Sequence, residues 1–269
     1  MLSPAEFVDS YAAIGAGKAK APAMKLFLLA ILAGFYIAMG GAVTNVASHA
    51  VANVSAAKII NGLLFPFGLI MVILTGAELF TGNCLIAVSV LEKKATLAGM
   101  ARNLVIVYLG NFVGGMLVSA GMVYCGQLNL SGGGLAVATI RTAAAKCGLS
   151  FGPAFAMGIF CNVLVCAGVV CSLCGKDIIG RAVGAYVPVA FFVIGGFEHC
   201  VANMYYIPAG ILANSAPKYA ELAAAAGIDT SALTWGNFLV NNLVPVTLGN
   251  IVGGVALGAL LWAAHKKIK

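Results

Sequence analysis

The sequence predicts an all-α integral membrane protein with six transmembrane helices, arranged as two inverted three-helix repeats. Three observations support this prediction: the composition, the lengths of the uncharged segments and an internal repeat. The 269 residues are 62% hydrophobic and 9% charged, whereas soluble domains carry about 25% charged residues. An apolar run of about 20 residues is long enough for a helix to cross the hydrocarbon core of a bilayer.

The uncharged runs define the spans. They cover residues 26–48, 59–77, 79–91, 103–140, 147–175, 182–197, 200–217 and 230–264. The two runs around Glu78, and likewise the two around Glu198-His199, are together too long for one span and too short for two. As one straight helix of about 33 residues, each pair would measure about 50 Å against a hydrocarbon core of about 30 Å. Each pair therefore predicts a single span that is broken at mid-membrane, namely the second and the fifth helix.

The internal repeat sets the relation between the two halves. The segment 103–115 resembles the segment 242–254, and both contain two asparagines eight residues apart. This match aligns the third span with the sixth, and the broken second span with the broken fifth. Because three spans per repeat is an odd number, the two halves must have inverted topology. The 34 glycines fit close packing between membrane helices.

The N-terminal segment predicts a separate helix. Ser3-Pro4-Ala5-Glu6 has the capping-box pattern, and Phe7, Tyr11 and Ile14 follow at helical spacing. We expect a short amphipathic helix on the cytoplasmic face that ends at Gly15-Ala16-Gly17 and acts as a pH-sensitive gate. The predicted domains are residues 1–25 (this helix and a linker), 26–265 (the six-span anion channel domain) and 266–269 (a basic cytoplasmic tail).

The lysines and arginines predict the orientation. With both termini cytoplasmic in the plasma (inner) membrane, 11 of the 15 basic residues face the cytoplasm, as the positive-inside rule requires. Only four face outward: Lys58, Arg141, Lys146 and Lys218. The net charge of +7 thus follows from topology, and its division over short loops disfavours a nucleic-acid partner. The outward connections 126–150 and 214–234 are each expected to hold a short helix that lines a vestibule.

The two breaks contain the candidate functional residues, because ionisable groups at membrane depth are costly. We expect Glu78 and Glu198 to accept hydrogen bonds from freed backbone N–H groups and to hold the loops in shape; the alternative is that they handle ions directly. Half-helices that resume after Thr81 and Asn203 would point their N-termini toward the membrane centre. Since helix N-termini favour anions, anion passage is the preferred interpretation.

His199 is the central candidate. It can donate a hydrogen bond to an anion while neutral, and it can change protonation near neutral pH. Thr81, at the matching break, supplies a hydroxyl group that faces it. Lys146 is either a solvated interfacial lysine or a vestibule charge that raises the local anion concentration. A further set of apolar residues is either ordinary packing or a pair of constrictions that exclude hydrated ions: Phe65, Leu69, Leu79 and Phe192.

Other function classes are disfavoured. Cys171-x-x-Cys174 lacks the second cysteine pair or histidine that a zinc site needs, so no metal and no cofactor is expected. A membrane enzyme would need a nucleophile–base pair or a metal cluster, and the sequence offers one central histidine and scattered cysteines. A channel for neutral solutes is disfavoured by the lysine, the histidine and the helix dipoles.

Three segments resemble the formate/nitrite transporter family: 73–82, 158–166 and 196–204. The resemblance extends from the N-terminal helix to Gly254. It implies an aquaporin-like protomer in membrane lipid, a homopentamer, and one pore through each protomer. Carried onto this sequence, it implies His199 and Thr81 at the pore centre, Lys146 as the vestibule lysine and Asn162 and Asn250 as polar pore residues. It also implies constrictions at Phe65, Leu69, Leu79 and Phe192, with Glu78, Glu198 and Asn203 supporting the breaks.

The resemblance implies a channel for small monovalent weak-acid anions, either inorganic or carboxylate: hydrosulfide as the favoured substrate, and also formate and nitrite. The alternative is a proton-coupled formate or nitrite symporter. A bare ion would pay a large desolvation cost at the constrictions. Hydrogen bonds from His199 and Thr81 would offset part of it, and proton transfer from His199 or from water would remove the charge.

Overall fold

The computed structural model describes residues 1–268, so of the predicted basic tail 266–269 only Lys269 lies outside the described residues. Six helical segments are long and apolar enough to cross a membrane, which confirms the predicted number of spans. They are Ala23–Ser48, Val54–Thr75, Leu97–Tyr124, Phe151–Cys174, Ile178–Gly195 and Trp235–Lys267.

The α-helices are numbered in chain order. They are α1 (Pro4–Lys20), α2 (Ala23–Ser48), α3 (Val54–Leu64), α4 (Phe67–Thr75), α5 (Phe80–Asn83), α6 (Ile86–Leu91), α7 (Leu97–Tyr124), α8 (Gly134–Cys147), α9 (Phe151–Cys174), α10 (Ile178–Gly195), α11 (Cys200–Asn214), α12 (Pro217–Ala225), α13 (Trp235–Asn237) and α14 (Val244–Trp262). A 3₁₀ segment covers Gln127–Gly133, and π-helical turns cover Phe238–Leu243 and Ala263–Lys267.

The second and fifth spans are each interrupted behind a glycine. Gly76 (φ 70°) ends α4 and Gly196 (φ 73°) ends α10. This left-handed conformation is readily available only to glycine and commonly ends helices. The next helices begin at Phe80 and Cys200, earlier than the predicted positions after Thr81 and Asn203. The prediction was wrong here because the extended residues just before these helices already serve as their N-caps.

The packing of the long helices follows the sequence repeat. α2 packs along α7, and α9 packs along α14 in the same way. Glycines make both approaches possible: a Cβ on Gly34 would collide with the backbone of Asn111, and one on Gly249 with the carbonyl oxygen of Phe155. Close backbone approach of this kind is what small residues allow between membrane helices.

The N-terminal helix has the predicted start and a different end. The Ser3–Glu6 capping box is present. The helix continues through the three residues at 15–17, because Gly15 packs so closely on Ser89 that a Cβ would not fit there. It ends before Pro22, whose ring disfavours helical backbone in the preceding residue.

This helix is also more buried than an amphipathic surface helix would be. Phe7 and Tyr11 are 1% and 2% exposed, and they pack against Leu85, Val88 and Cys166. α1 is therefore part of the helical core rather than an appendage of it.

The connection at 126–150 contains the 3₁₀ segment and α8, and the connection at 214–234 contains α12. Each was expected to hold a short helix that lines a vestibule. Both helices are present, and the lining role holds for α8 and not for α12. Among the residues that line the cavity beside His199, five come from α8 and none from the 214–234 segment.

Candidate functional site

Glu78 lies at the centre of a buried polar cluster. Lys18 donates to both of its carboxylate oxygens, with Nζ–Oε1 and Nζ–Oε2 distances of 2.9 and 2.8 Å. Asn83 donates to Oε2 at 2.6 Å and to Asn103 Oδ1 at 2.9 Å. Asn103 in turn donates to the backbone carbonyl of Lys18 at 3.0 Å. Residues from α1, the first break, α5 and α7 thus form one closed set of contacts.

Glu198 has the same arrangement at the second break. Lys146 donates to its Oε1 at 2.7 Å, and Asn203 donates to its Oε2 at 2.6 Å. Asn203 also donates to Asn242 Oδ1 at 2.7 Å, and Asn242 donates to the carbonyl of Lys146 at 3.0 Å. Three contacts differ. Lys18 donates to both carboxylate oxygens of Glu78 and Lys146 to one of Glu198. Asn242 also donates to Glu198 Oε2 at 3.3 Å. Asn83 Oδ1 accepts from Lys18, whereas Asn203 Oδ1 has no partner among residues 1–268.

The two carboxylates therefore have partners other than those predicted. Their oxygens accept from lysine and asparagine side chains and not from freed backbone N–H groups. A buried carboxylate requires compensation for its charge, and a hydrogen bond from an ammonium is roughly twice as strong as one from a neutral donor.

Two other asparagines satisfy the freed backbone groups. Asn111 Oδ1 accepts from Phe80 N at 2.9 Å, and its Nδ2 donates to the carbonyls of Ala30 and Glu78 at 2.8 and 2.9 Å. Asn111, which lies in the long helix α7, thus holds the first break in place. The amide has no hydrogen-bonding capacity left for any other group beyond one lone pair on its oxygen.

Asn250 does the same at the second break. Its Oδ1 accepts from Cys200 N at 2.9 Å, and its Nδ2 donates to the carbonyls of Gly158 and Glu198 at 2.8 and 3.0 Å. The structure therefore places Asn250 against backbone, with its donors fully occupied. Asn162 also lies within this buried region, where its Nδ2 donates to the carbonyls of Thr81 and Asn250 at 3.1 and 2.6 Å.

His199 joins the two breaks. Its Nδ1 accepts a hydrogen bond from Ala202 N at 3.0 Å and so caps α11. A nitrogen that accepts from a backbone N–H carries no proton, so the neutral ring has its proton on Nε2. Nε2 lies 2.9 Å from Thr81 Oγ1 and donates to it. His199 is 3% exposed and Thr81 is fully buried.

One cavity reaches His199 from the Lys146 side. This Lys146-side cavity has a volume of about 730 Å³. Its ionisable lining residues are His49, Lys58, Arg141, Lys146, Glu198, His199 and Tyr206. Lys146 Nζ lies 5.5 Å from the centre of the Tyr206 ring.

A second, smaller cavity lies on the other side of the breaks. This Lys18-side cavity has a volume of about 130 Å³ and is lined mainly by apolar residues, together with Lys18, Tyr11 and Asn83. Gly82, the neighbour of Thr81, also lines it. The Thr81–His199 hydrogen bond therefore connects the walls of the two cavities.

The four predicted constriction residues divide between these cavities. Phe65 and Phe192 line the Lys146-side cavity, with ring centres 5.8 Å apart in an edge-to-face arrangement. The Phe192 ring stacks on the His199 ring at 5.8 Å. Leu69 and Leu79 line the Lys18-side cavity. All four side chains are buried, so apolar groups flank the histidine on both sides.

Sequence reasoning missed several residues of the two carboxylate clusters, and the asparagine that fixes the first break. They are Lys18, Asn83, Asn103, Asn111 and Asn242. The repeat contained the signal for the asparagines, because their spacing recurs in both halves. Among residues 1–268, no group of three or more histidine, cysteine, aspartate or glutamate side chains is placed to hold a metal ion.

Comparisons with known proteins agree on one family. The family model for formate/nitrite transporters matches residues 5–264. A probable formate transporter of Methanothermobacter thermautotrophicus is 37% identical, over 98% of this chain and 97% of its own length. The formate channel FocA of Escherichia coli is 34% identical, over 98% of this chain and 95% of its own length.

Solved structures agree with the sequence comparison. A structure described as a pentameric formate channel with formate bound has a TM-score of 0.80 and 36% identity, over 90% of this chain and 97% of its own. An ion channel of the same family has a TM-score of 0.82 at 24% identity, over 96% and 98% of the two chains, which is a likeness of fold. Because the family model and relatives above 30% identity span nearly the whole chain, this protein belongs to the formate/nitrite transporter family, a family of transport proteins and not of enzymes.

Proposed function

We propose that this protein is a channel for small monovalent weak-acid anions, with formate, nitrite and hydrosulfide as its substrates. One observation carries the proposal. A neutral, buried histidine donates toward Thr81 between two apolar pairs of residues, and a cavity with several cationic side chains leads to it. The formate channels among its relatives support formate in particular.

The proposed mechanism follows from the cost of dehydration. A bare anion that passes Phe65 and Phe192 loses its hydration shell, and the apolar side chains offer no interaction that compensates for the lost hydration free energy. The His199 Nε2–H and the Thr81 hydroxyl offer hydrogen bonds at that point. Transfer of a proton to the anion removes the charge, and the neutral acid then passes Leu69 and Leu79. The proton comes from water, which leaves hydroxide behind, or through His199, which first takes up a proton from water and returns to its neutral form when it gives a proton to the anion.

The proposed arrangement in the cell places the Lys146-side cavity outward, in the plasma (inner) membrane, with both termini cytoplasmic. The excess of lysine and arginine on the opposite loops supports this orientation. We further propose a homopentamer with one pore in each protomer, since a related structure is described as a pentameric formate channel. In this arrangement membrane lipid surrounds the assembly.

The decisive experiment measures flux into liposomes that contain the purified protein. Hydrosulfide, formate, nitrite and chloride are compared at two pH values, for the wild type and for His199→Asn. We expect weak-acid flux that exceeds chloride flux and that depends on His199. The ranking of formate against hydrosulfide decides the hydrosulfide preference, which stays a prediction from the sequence. Equal chloride flux, or an unchanged His199→Asn variant, would reject the proposed role of the histidine.

Proton-coupled symport is the alternative, and it uses the same residues. It predicts that a pH gradient drives formate above its equilibrium distribution in sealed vesicles. A channel instead lets formate and formic acid reach equilibrium across the membrane, without further accumulation. Accumulation beyond that equilibrium would replace the channel proposal with the symport proposal.

A further inference from the structure

We infer that Lys58 and Arg141 form a second anion-binding site in the Lys146-side cavity, one that recruits the anion before it reaches Lys146 and His199. This inference rests on the proposed channel function. The ligand is a small hydrated monovalent anion such as formate. The site is separate from Lys146, because the ammonium group of Lys146 is already paired with the carboxylate of Glu198.

The charges that line the cavity leave these two cations uncompensated. Three cationic side chains and one carboxylate line it, and these four groups together carry a net charge of two positive units. The carboxylate of Glu198 is fully engaged by Lys146, Asn203 and Asn242. The ion pairs among residues 1–268 are Lys18–Glu78, Lys146–Glu198 and Lys266–Asp9, and none includes Lys58 or Arg141.

Lys58 is held close to the second break. Its Nζ lies 2.6 Å from the point that a Cβ on Gly196 would occupy, so the absence of a side chain at Gly196 makes room for the ammonium group. Gly196 caps the C-terminus of α10, where the helix dipole favours a cation. Gly196 precedes His199 by three residues, so the ammonium group of Lys58 lies beside the loop that leads to His199.

Arg141 adds a donor group suited to carboxylates. Its guanidinium is planar and carries five N–H donors, which match the two oxygens of a carboxylate. Neither this guanidinium nor the Lys58 ammonium belongs to an ion pair among residues 1–268. The wall of the cavity therefore has donor groups without a charged partner in the protein, as an anion-binding site requires.

The expected consequence is an asymmetry between the two sides of the channel. A cleft that is lined by cationic side chains and has low-dielectric walls raises the local concentration of an anion. On the Lys18 side the only charged lining residue is Lys18, and Glu78 neutralises it. The apparent KM for formate is therefore lower for entry from the Lys146 side than for entry from the Lys18 side.

The test uses Lys58→Gln, Arg141→Gln and the double variant in right-side-out membrane vesicles. Initial rates of formate uptake are measured against formate concentration at low salt and at high salt. We expect the KM of the double variant to rise at low salt, on the order of threefold to tenfold, with the maximal rate unchanged. The difference should shrink at high salt because exposed charges are screened.

The controls separate charge from folding. Lys218→Gln removes a cation that donates to Asn129 and does not line the cavity, so its KM should equal that of the wild type. Lys58→Arg keeps the charge and should keep the low KM. Wild-type formate uptake combined with an unchanged KM in the double variant would overturn the recruitment site alone. Absence of weak-acid flux in the wild type would overturn the proposed channel function and this inference with it.

Discussion

At the scale of the residue, His199 performs two tasks through its two ring nitrogens. Nδ1 caps α11 and Nε2 donates to Thr81. The cap fixes the proton on the nitrogen that faces Thr81. A second proton on the ring would have to displace the Ala202 N–H from Nδ1, so full protonation of His199 carries a structural cost at the start of α11.

The Thr81 hydroxyl is therefore expected to matter for transport. Thr81→Val keeps the shape and leaves His199 Nε2–H without an acceptor, which costs about 1–3 kcal/mol for a buried group. We expect formate flux to fall on the order of tenfold, which corresponds to about 1.4 kcal/mol. Thr81→Ser keeps the hydroxyl and serves as the matched control. Equal flux through the valine and serine variants would contradict the role of the hydrogen bond.

The Lys146–Glu198 pair makes a prediction about stability. Glu198→Gln leaves a mostly buried ammonium without its counter-charge, which costs on the order of 3–5 kcal/mol. The double variant Lys146→Met/Glu198→Gln removes both charges and should recover most of that loss. Thermal unfolding in detergent measures both effects. Asp9→Asn, in the exposed pair with Lys266, is the control and should cost less than about 1 kcal/mol. A double variant no more stable than Glu198→Gln would contradict this prediction.

The sequence indicated which residues were costly at membrane depth, but not what would compensate them. Glu78 and Glu198 stand out because they interrupt apolar runs. Their lysine partners lie 60 and 52 positions away in the sequence, and no periodicity connects such positions. Lys18 was the hardest to foresee, because it lies in α1, outside the repeat that relates the two halves.

At the scale of the element, the N-terminal helix forms part of the wall of the Lys18-side cavity. Tyr11, Ile14 and Lys18 line that cavity, and the Tyr11 hydroxyl donates to the carbonyl of Gly82 at 3.2 Å. Residues 1–17 thus contribute to the wall, whereas Lys18 also belongs to the Glu78 cluster. The two parts of α1 have different roles.

Two deletions separate these roles. Deleting residues 1–17 removes this part of the cavity wall and keeps Lys18, so we expect higher flux and a weaker pH response. It should also lower the unfolding temperature, because it removes the buried Phe7 and Tyr11. Deleting residues 1–21 also leaves Glu78 unpaired and should lower the unfolding temperature further. Liposome flux and thermal unfolding are measured side by side. An unchanged pH-dependent flux after the shorter deletion would reject the gate.

The ends of the helices could be predicted from the sequence where a charged residue lies at the end. The uncharged run 103–140 has no charge at the boundary between α7 and α8, because the 3₁₀ segment Gln127–Gly133 contains no charged residue. The connection predicted at 126–150 depended on its glycines and alanines instead. Gly15 predicted a helix end, since glycine costs about 1 kcal/mol in a helix. Close packing against Ser89 outweighs that cost, and sequence pattern alone does not report such contacts.

At the scale of the whole molecule, both cavities and the histidine between them are built from one chain. Within the proposed pentamer, each protomer should therefore conduct on its own. We expect flux through pentamers mixed from wild type and an inactive His199 variant to fall linearly with the wild-type fraction. A steeper fall would show that neighbouring protomers contribute to each pore.

The carboxylate cluster at each break is formed within one half of the chain. The cluster around Glu78 draws on residues 18–103, and the cluster around Glu198 on residues 146–242. The asparagines that fix each break likewise come from the same half as that break. The Glu78 cluster therefore needs no residue of the second half. Two separately expressed fragments, divided within Gln127–Gly133, would each carry its own carboxylate cluster. Their reunion would then form the contacts between halves, among them Thr81 with His199, Asn162 with the Thr81 carbonyl and Tyr108 with Thr247.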